Sequence, residues 1–374
     1  MHTKNADLNK MMYLKEIEVW NFKNYEQARF HFDPQLNIIV GKNGSGKTTI
    51  LDAIHYLCLS QSAFQSQDSL NVRHNEEFFF VKGTFVKKEE KTEILCAYQN
   101  KRKSLQANKQ AYAKLSEHIG LFPCVLVTPN DTDLVREDSE SRRRFFDTIF
   151  CQIDADYLQK LMFYKQLLKN RNILLKQFYE RNYFDALLLE RFDKEIIPLS
   201  VWIAQKRQFF LEKLMPFFVN FYDFLTEKNE KTSLIYQSDA LESDFEKNYR
   251  DAKNQDLAAQ RTTLGIHKDD YIFELKGVAL RKFGSQGQQK SFVLALKMAH
   301  FQLINQEKNT KALLLLDDIF DKLDDSRLQA LADWLSANAG QVFITDAHPD
   351  RSLDFFGKTH QKNIFRVENG QVLA

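Results

Sequence analysis

The alternation of apolar and polar positions changes character three times along the chain. From Tyr13 to Trp20 it has period two, with Ile17 and Val19 on one face, and a second such run passes through Phe30 and Phe32. Two strands are therefore expected around a turn at Asn21-Phe22-Lys23-Asn24-Tyr25. Leu36-Asn37-Ile38-Ile39-Val40 is a short apolar run that stops at Gly41, the pattern of a buried strand, and Thr48 to Leu59 reads as a helix. Strand-like runs return from Phe78 to Tyr98 and at Cys124-Val125-Leu126-Val127. No glycine occurs between Gly120 and Gly265. Within that stretch Tyr157, Leu161, Tyr164, Leu168, Leu175 and Phe178 keep three- and four-residue spacing, interrupted only by Arg171, so an amphipathic helix is expected. A second helical stretch from Phe184 to about Phe224 should kink or break at Pro198. Glycines then return, with a helix expected over Ser291 to Leu303 and buried strands at Leu313 to Leu316 and Val342 to Thr345.

This order describes an α/β head with a helical insertion. The boundaries read as a polar tail at 1–12, a first head segment at 13–130, a helical arm at 131–262 and a second head segment at 263–374. Helices of this size reach only about 30–60 Å at 1.5 Å per residue.

Composition narrows the class. The 374 residues are 44% hydrophobic and 27% charged, ordinary for a globular protein with a sizeable core. The four cysteines never form C-x-x-C, which argues against a zinc site or a disulfide framework, and a reducing cytoplasm fits. No apolar run approaches the ~20 residues of a spanning helix. Net charge is only +2, so binding to nucleic acid would need a local patch. Segment 81–114 supplies one: nine Lys/Arg against three acids, a balance of +6. Lys101-Arg102-Lys103 is its densest cluster and is expected to meet a phosphate backbone without regard to sequence, the alternative being a solvated face. Arg142-Arg143-Arg144 could bind DNA, but a structural role at the entry to the arm is preferred.

The strongest chemistry lies at the two ends of the chain. Gly41-Lys42-Asn43-Gly44-Ser45-Gly46-Lys47-Thr48 fits G-x-x-x-x-G-K-[ST], with a strand before it and a helix after it. Glycines let backbone N–H groups curl around a phosphate, the helix N-terminus adds its dipole, and Thr49 follows in the first turn. Lys47 would reach the β- and γ-phosphates of ATP, and the Thr48 hydroxyl would bind Mg²⁺. Near the other end, Leu313 to Leu316 followed by Asp317-Asp318 reads as a Walker B strand. Asp317 would hold Mg²⁺ and Asp318 would orient or deprotonate the attacking water. Ser285-Gln286-Gly287-Gln288-Gln289, placed before a helix, suits an anion but would also suit a plain capping turn.

Taken in order, these motifs resemble those of the RecF family of recombination mediators. The resemblance rests on Asn21 to Tyr25, the phosphate loop, Ser141-Arg142-Arg143-Arg144-Phe145-Phe146-Asp147, Gly265-Ile266-His267-Lys268-Asp269-Asp270, Ser285 to Lys290, Leu315 to Asp318 and Leu323-Asp324. It spans nearly the whole chain, and it implies an ABC-type ATPase head with a short helical second lobe. It further implies an ATP-dependent homodimer on DNA, slow hydrolysis, and work with RecO and RecR in loading recombinase at gaps, with support for SOS induction. By the same resemblance Ser285, Gly287 and Gln288 would meet the ATP of a second copy, Asp324 would lie at the dimer interface, and Lys23 would lie near the nucleotide. Departures stand beside it. Gly-Ile-His-Lys-Asp-Asp replaces Gly-Pro-His-Arg-Asp-Asp, Thr128-Pro129-Asn130-Asp131 carries no glutamine for a Q-loop, and His348 is either a switch histidine or a surface residue. The competing reading is an ABC-type ATPase whose arm binds a protein rather than DNA.

Overall fold

The structure is a computed structural model and describes residues 11–226, 230–319, 325–347 and 362–373. The expected tail up to residue 10, Leu323-Asp324 and His348 lie outside the described residues. The chain divides into two compact units, residues 1–131 with 296–374, and residues 132–295.

Along the chain, the first unit opens with β1 (Met12–Phe22), β2 (Tyr25–His31), β3 (Leu36–Val40) and helix α1 (Lys47–Leu59). It continues through β4 (Phe79–Lys87), β5 (Glu90–Gln99), β6 (Arg102–Ala107), β7 (Gln110–Ala111) and β8 (Cys124–Val127). The second unit contains α2 (Asp133–Arg136), α3 (Ser139–Ile153), α4 (Ala155–Arg181) and α5 (Ala186–Thr226). It goes on with β9 (Thr232–Gln237), α6 (Phe245–Asp251), α7 (Lys253–Ala259), β10 (Asp270–Leu275), β11 (Val278–Ala279) and α8 (Leu280–Phe283). Helix α9 (Gln286–Lys308) leads back, and β12 (Leu313–Leu316), α10 (Asp325–Asn338), β13 (Val342–Asp346), β14 (Lys362–Glu368) and β15 (Gln371–Leu373) complete the first unit.

Two six-stranded sheets build the first unit. One is antiparallel, in the order β2-β1-β4-β5-β6-β7. The other has the order β15-β14-β3-β13-β12-β8, with β14, β3, β13, β12 and β8 parallel and only β15 antiparallel. Helix α1 touches β1, β4 and β5 of the first sheet and β8 and β13 of the second. That position explains its composition: from Ile50 to Leu59 every residue is buried, so no polar face is needed. Leu313 to Leu316 and Ile38-Ile39-Val40 are buried throughout, as central parallel strands should be.

Around the second unit, the sequence reading needs correction in three places. Arg171 does not interrupt the apolar stripe of α4; it is fully buried within it. Its guanidinium donates to Asp193 (2.8 Å), Asp256 (2.7 Å) and Thr262 Oγ1 (2.8 Å), so the charge is compensated inside the core. Helix α5 runs unbroken through Pro198 and Pro216. Buried Ile196, Ile197, Ser200, Ile203 and Ala204 flank Pro198, and this packing outweighs a proline cost of ~3 kcal/mol. Finally, the unit reaches Ala295 rather than 262, because β10 pairs antiparallel with β9 in a three-stranded sheet. Helix α4 itself is well delimited: the Asp154 side chain accepts from the N–H groups of Asp156 and Tyr157, and Asn182 closes the end in a left-handed conformation.

A second buried arginine organises the segment around Gly265. Arg207 donates to both oxygens of Asp147 (3.0 Å each), to Asp269 Oδ2 (2.6 Å) and to the Ile266 carbonyl (2.9 Å). Tyr236 donates a short hydrogen bond to the same Asp269 oxygen. The entry arginines join this structure: Arg142 grips Asp270 bidentately (2.7 and 2.9 Å) and Arg143 donates to the Asp269 carbonyl (2.6 Å). Arg144 stays exposed beside Glu140.

His267 sits nearby, between Tyr164 Oη (2.8 Å) and the Thr262 carbonyl (3.0 Å), and burial pushes its pKa down to about 4. A folded pKa below the ordinary ~6.5 means that the unfolded chain binds the proton more readily. The associated stability is present above pH ~6.5 and is lost as pH falls toward 4, by up to about 3 kcal/mol. Denaturant titrations should show a His267→Gln variant flatter than the parent over that window; parallel curves would refute the assignment.

Candidate nucleotide site and basic surfaces

The phosphate loop leaves β3 at its carboxyl end and turns into α1, while Asp317-Asp318 follow the parallel strand β12, separated from β3 by β13, so both motifs reach the carboxyl edge of the same sheet. Loop shape depends on two glycines. Gly46 has φ 114°, and a Cβ there would lie 2.7 Å from Asn24 Nδ2 and 2.9 Å from the Tyr25 ring. A Cβ on Gly41 would lie 2.3 Å from the Val367 carbonyl oxygen. Ser45 is buried beneath the loop, and its carbonyl accepts from Gly370 N–H at 2.9 Å. Lys42, Asn43 and Gly44 are exposed at the rim.

A cleft of ≈ 400 Å³ opens against this loop, lined by Lys23, Asn24, Asn43, Gly44, Gly46, Lys47, Thr48, Thr49 and Asp318. Lys47 is buried, with its ammonium donating to the Gly41 (2.8 Å) and Lys42 (3.2 Å) carbonyls. The Thr48 hydroxyl donates to Asp317 Oδ1 at 2.9 Å. Thr345 on β13 donates to the same oxygen at 2.7 Å and accepts from the Asp318 N–H at 3.0 Å. Burial raises the pKa of Asp317. A buried carboxylate and a hydroxyl this close are hard oxygen donors, so the pair fits Mg²⁺, which would supply positive charge beside the phosphates. Asp318 adopts φ 43°, left-handed backbone that turns the chain at the strand end.

The sequence reading overlooked Asp52. It lies on α1 with no exposed surface, and its carboxylate takes the Lys23 ammonium (2.5 Å), the Ser62 hydroxyl (2.7 Å) and the Ala63 N–H (2.7 Å). Lys23 thus lines the cleft with its charge held by Asp52. The available signal was a lone acid inside Ile50-Leu51-Asp52-Ala53-Ile54. Asp131 of the expected Q-loop is likewise engaged, with Lys297 at 2.9 Å and the Thr128 N–H at 2.6 Å.

Ser285 does not precede its helix by several residues. Helix α9 begins at Gln286, so the motif forms the first turn. Ser285 Oγ accepts from Gln288 N–H (3.2 Å), and Gln288 Oε1 accepts from Ser285 N–H (2.8 Å), a reciprocal capping box. Ser285, Gln286 and Gly287 remain exposed, and space beside Gly287 is open.

The basic segment divides by strand geometry. Lys101 and Arg102 sit exposed at the β5–β6 turn, at the end of the sheet where β1 finishes beside β4. Lys87, Lys88, Lys91 and Lys109 fall at the opposite end, because antiparallel hairpins alternate their turns. Lys103 is not available to a ligand: its ammonium meets Asp68 (3.0 Å) and the Ser60 carbonyl (2.7 Å). Among the described residues no helix is long and apolar enough to cross a membrane.

A parallel sheet with a phosphate loop and an acidic strand end at one edge, interrupted in sequence by a helical unit, defines an ABC-type ATPase head of the kind found in SMC proteins. Residues 13–370 match the RecF/RecN/SMC N-terminal domain family. Two SMC head structures, one from Pyrococcus furiosus at TM-score 0.56 and 21% identity and one from Pyrococcus yayanosii at 0.57 and 17%, share this fold. Similarity then narrows within the class. The DNA replication and repair protein RecF of Cytophaga hutchinsonii is 41% identical over 96% of both chains, and that of Flavobacterium johnsoniae is 39% identical over 94% of this chain and 98% of its own. A solved structure of the recombination mediator protein RecF of the RecFOR pathway with ATP aligns at TM-score 0.87 and 29% identity, covering 97% of this chain and 99% of its own. The chain belongs to the RecF family.

Proposed function

We propose that this protein is an ATP-dependent DNA-binding protein of recombinational repair and replication restart. The observation that carries the reading is the meeting of Lys47, Thr48 and Asp318 at one cleft, with buried Asp317 bonded to the Thr48 hydroxyl, in a RecF-family chain. In this reading two copies sandwich two ATPs, each phosphate loop completed by the Ser285–Gly287 turn of the other copy, whose exposure supports such use. Loop N–H groups and Lys47 balance the phosphate charge in the transition state. The Asp318 carboxylate orients the attacking water and accepts its proton as the new oxygen–phosphorus bond forms and the β–γ bond breaks, releasing ADP and phosphate. Hydrolysis opens the pair and releases DNA. Lys101 and Arg102 contact phosphates without sequence preference. RecO and RecR are the partners in loading recombinase at gaps.

Light scattering with ATP, Mg²⁺ and duplex DNA tests the dimer; a mass that stays at one copy would sink it. Asp318→Asn should bind ATP normally, hydrolyse it about tenfold more slowly or worse, and accumulate the paired form. Unchanged phosphate release would remove Asp318 from its role. DNA binding that is absent or indifferent to salt would favour an arm that binds protein.

A further inference from the structure

One flank of α4 is built differently from the rest of its exposed surface. A groove of ≈ 690 Å³ runs along it, lined by Lys165, Leu168, Lys169, Asn172, Ile173 and Lys176 from the helix and by Gln260 across from it. The lysines recur at four- and seven-residue spacing and so share a face over about 16 Å, long enough to meet several phosphates of a DNA backbone. The remaining α4 lysine is engaged: half-buried Lys160 pairs with Asp156 and lies over the Trp202 ring. Lys176 approaches Glu180 at 3.6 Å, while Lys165 and Lys169 enter no ion pair among the described residues.

The polar part of the groove is held in place from beneath. Asn172 Oδ1 accepts from both the N–H and the hydroxyl of Thr262 (2.8 Å each), which leaves its Nδ2 as the hydrogen-bonding group for an outside acceptor. Thr262 and Asp256 are in turn fixed by buried Arg171. Gln260 sits at the left-handed C-cap of α7, its N–H taken by that helix, and exposed Arg261 follows it. Among the described residues no carboxylate and no aromatic lines the groove, so it lacks the anchor that protein partners usually supply or bury. Ammonium and amide N–H groups over aliphatic stems are what a phosphate backbone uses.

We propose that this groove is a second docking surface for the DNA phosphate backbone, separate from the Lys101–Arg102 turn and pre-shaped by the Arg171 network. The proposal rests on the DNA-binding reading above and adds the surface to it. The test is fluorescence anisotropy of a labelled duplex of roughly 30 base pairs, with full-length protein and ATP, over a series of KCl concentrations. The Lys165→Glu/Lys169→Glu double variant should bind about tenfold more weakly or worse near 0.1 M salt, and its slope of log K against log salt should be shallower by about 1.8, two lost phosphate contacts at ~0.9 each. Lys194→Glu, on α5 beside Glu190, changes charge outside the groove and should leave the slope unaltered. A double variant with parental affinity and slope overturns the proposal and leaves these lysines to an acidic protein. Equal losses in the double variant and in Lys194→Glu also overturn it, because net charge alone would then explain the effect. A parent protein that binds no duplex at any salt defeats the DNA-binding reading itself. Normal ATP binding by the double variant confirms that the chain is folded.

Discussion

Lys47→Ala should lose about 10- to 150-fold in ATP affinity, since a charge-assisted hydrogen bond to phosphate contributes ~1.5–3 kcal/mol and every 1.4 kcal/mol is tenfold. Isothermal calorimetry with ATP and Mg²⁺ reads this directly. The loss should not come from unfolding, because among the described residues the Lys47 ammonium bonds only to two carbonyls of its own loop, Gly41 and Lys42. Its helix begins with the residue itself, where alanine is well tolerated. A variant that binds ATP within a few-fold of the parent would mean that the loop holds its phosphate through N–H groups alone. A variant with altered thermal unfolding would mean that the lysine braces the loop.

The second large effect concerns stability. Arg207→Ala removes the cation shared by Asp147 and Asp269, both buried, and strands the Ile266 carbonyl. Breaking a buried ion pair by deleting one partner costs about 3–5 kcal/mol, because the remaining charge is left without compensation in a poor solvent. Burial already raises the Asp269 pKa, and deleting Arg207 removes the charge that opposes this rise. Urea unfolding followed by circular dichroism should show the loss. A drop below about 1 kcal/mol would show that water or another group replaces the guanidinium. Pairing Arg207→Met with Asp147→Leu and Asp269→Leu should recover much of the stability, as apolar replacements of buried ion networks often do.

Much of the head is legible in the sequence, for a physical reason. Central parallel strands are continuous apolar runs, so Cys124 to Val127 and Leu313 to Leu316 agree with β8 and β12 residue for residue. The loop between β3 and α1 is legible because its tight backbone admits glycine alone at Gly41 and Gly46. Long-range pairing was not legible. Nothing near Arg171 or Arg207 announces that Asp256 and Asp269 lie opposite, so a stripe with a charge in it looked broken. A break at Pro198 does not occur, because local propensity there is small beside the packing of Ile196, Ile197 and Ile203. Lys101, Arg102 and Lys103 read as one cluster, yet strand alternation and the position of Asp68 separate the third from the other two.

That separation bears on how tightly one copy could hold DNA at the turn. Two cations displace about two counterions, so quadrupling the salt would weaken such a contact only about twelvefold, and the contact is correspondingly weak to begin with. In the proposed pair the second turn engages an already tethered duplex, at an effective concentration set by geometry rather than by how much protein the cell holds. ATP would then control residence on DNA by counting copies, while each DNA-facing surface stays unchanged.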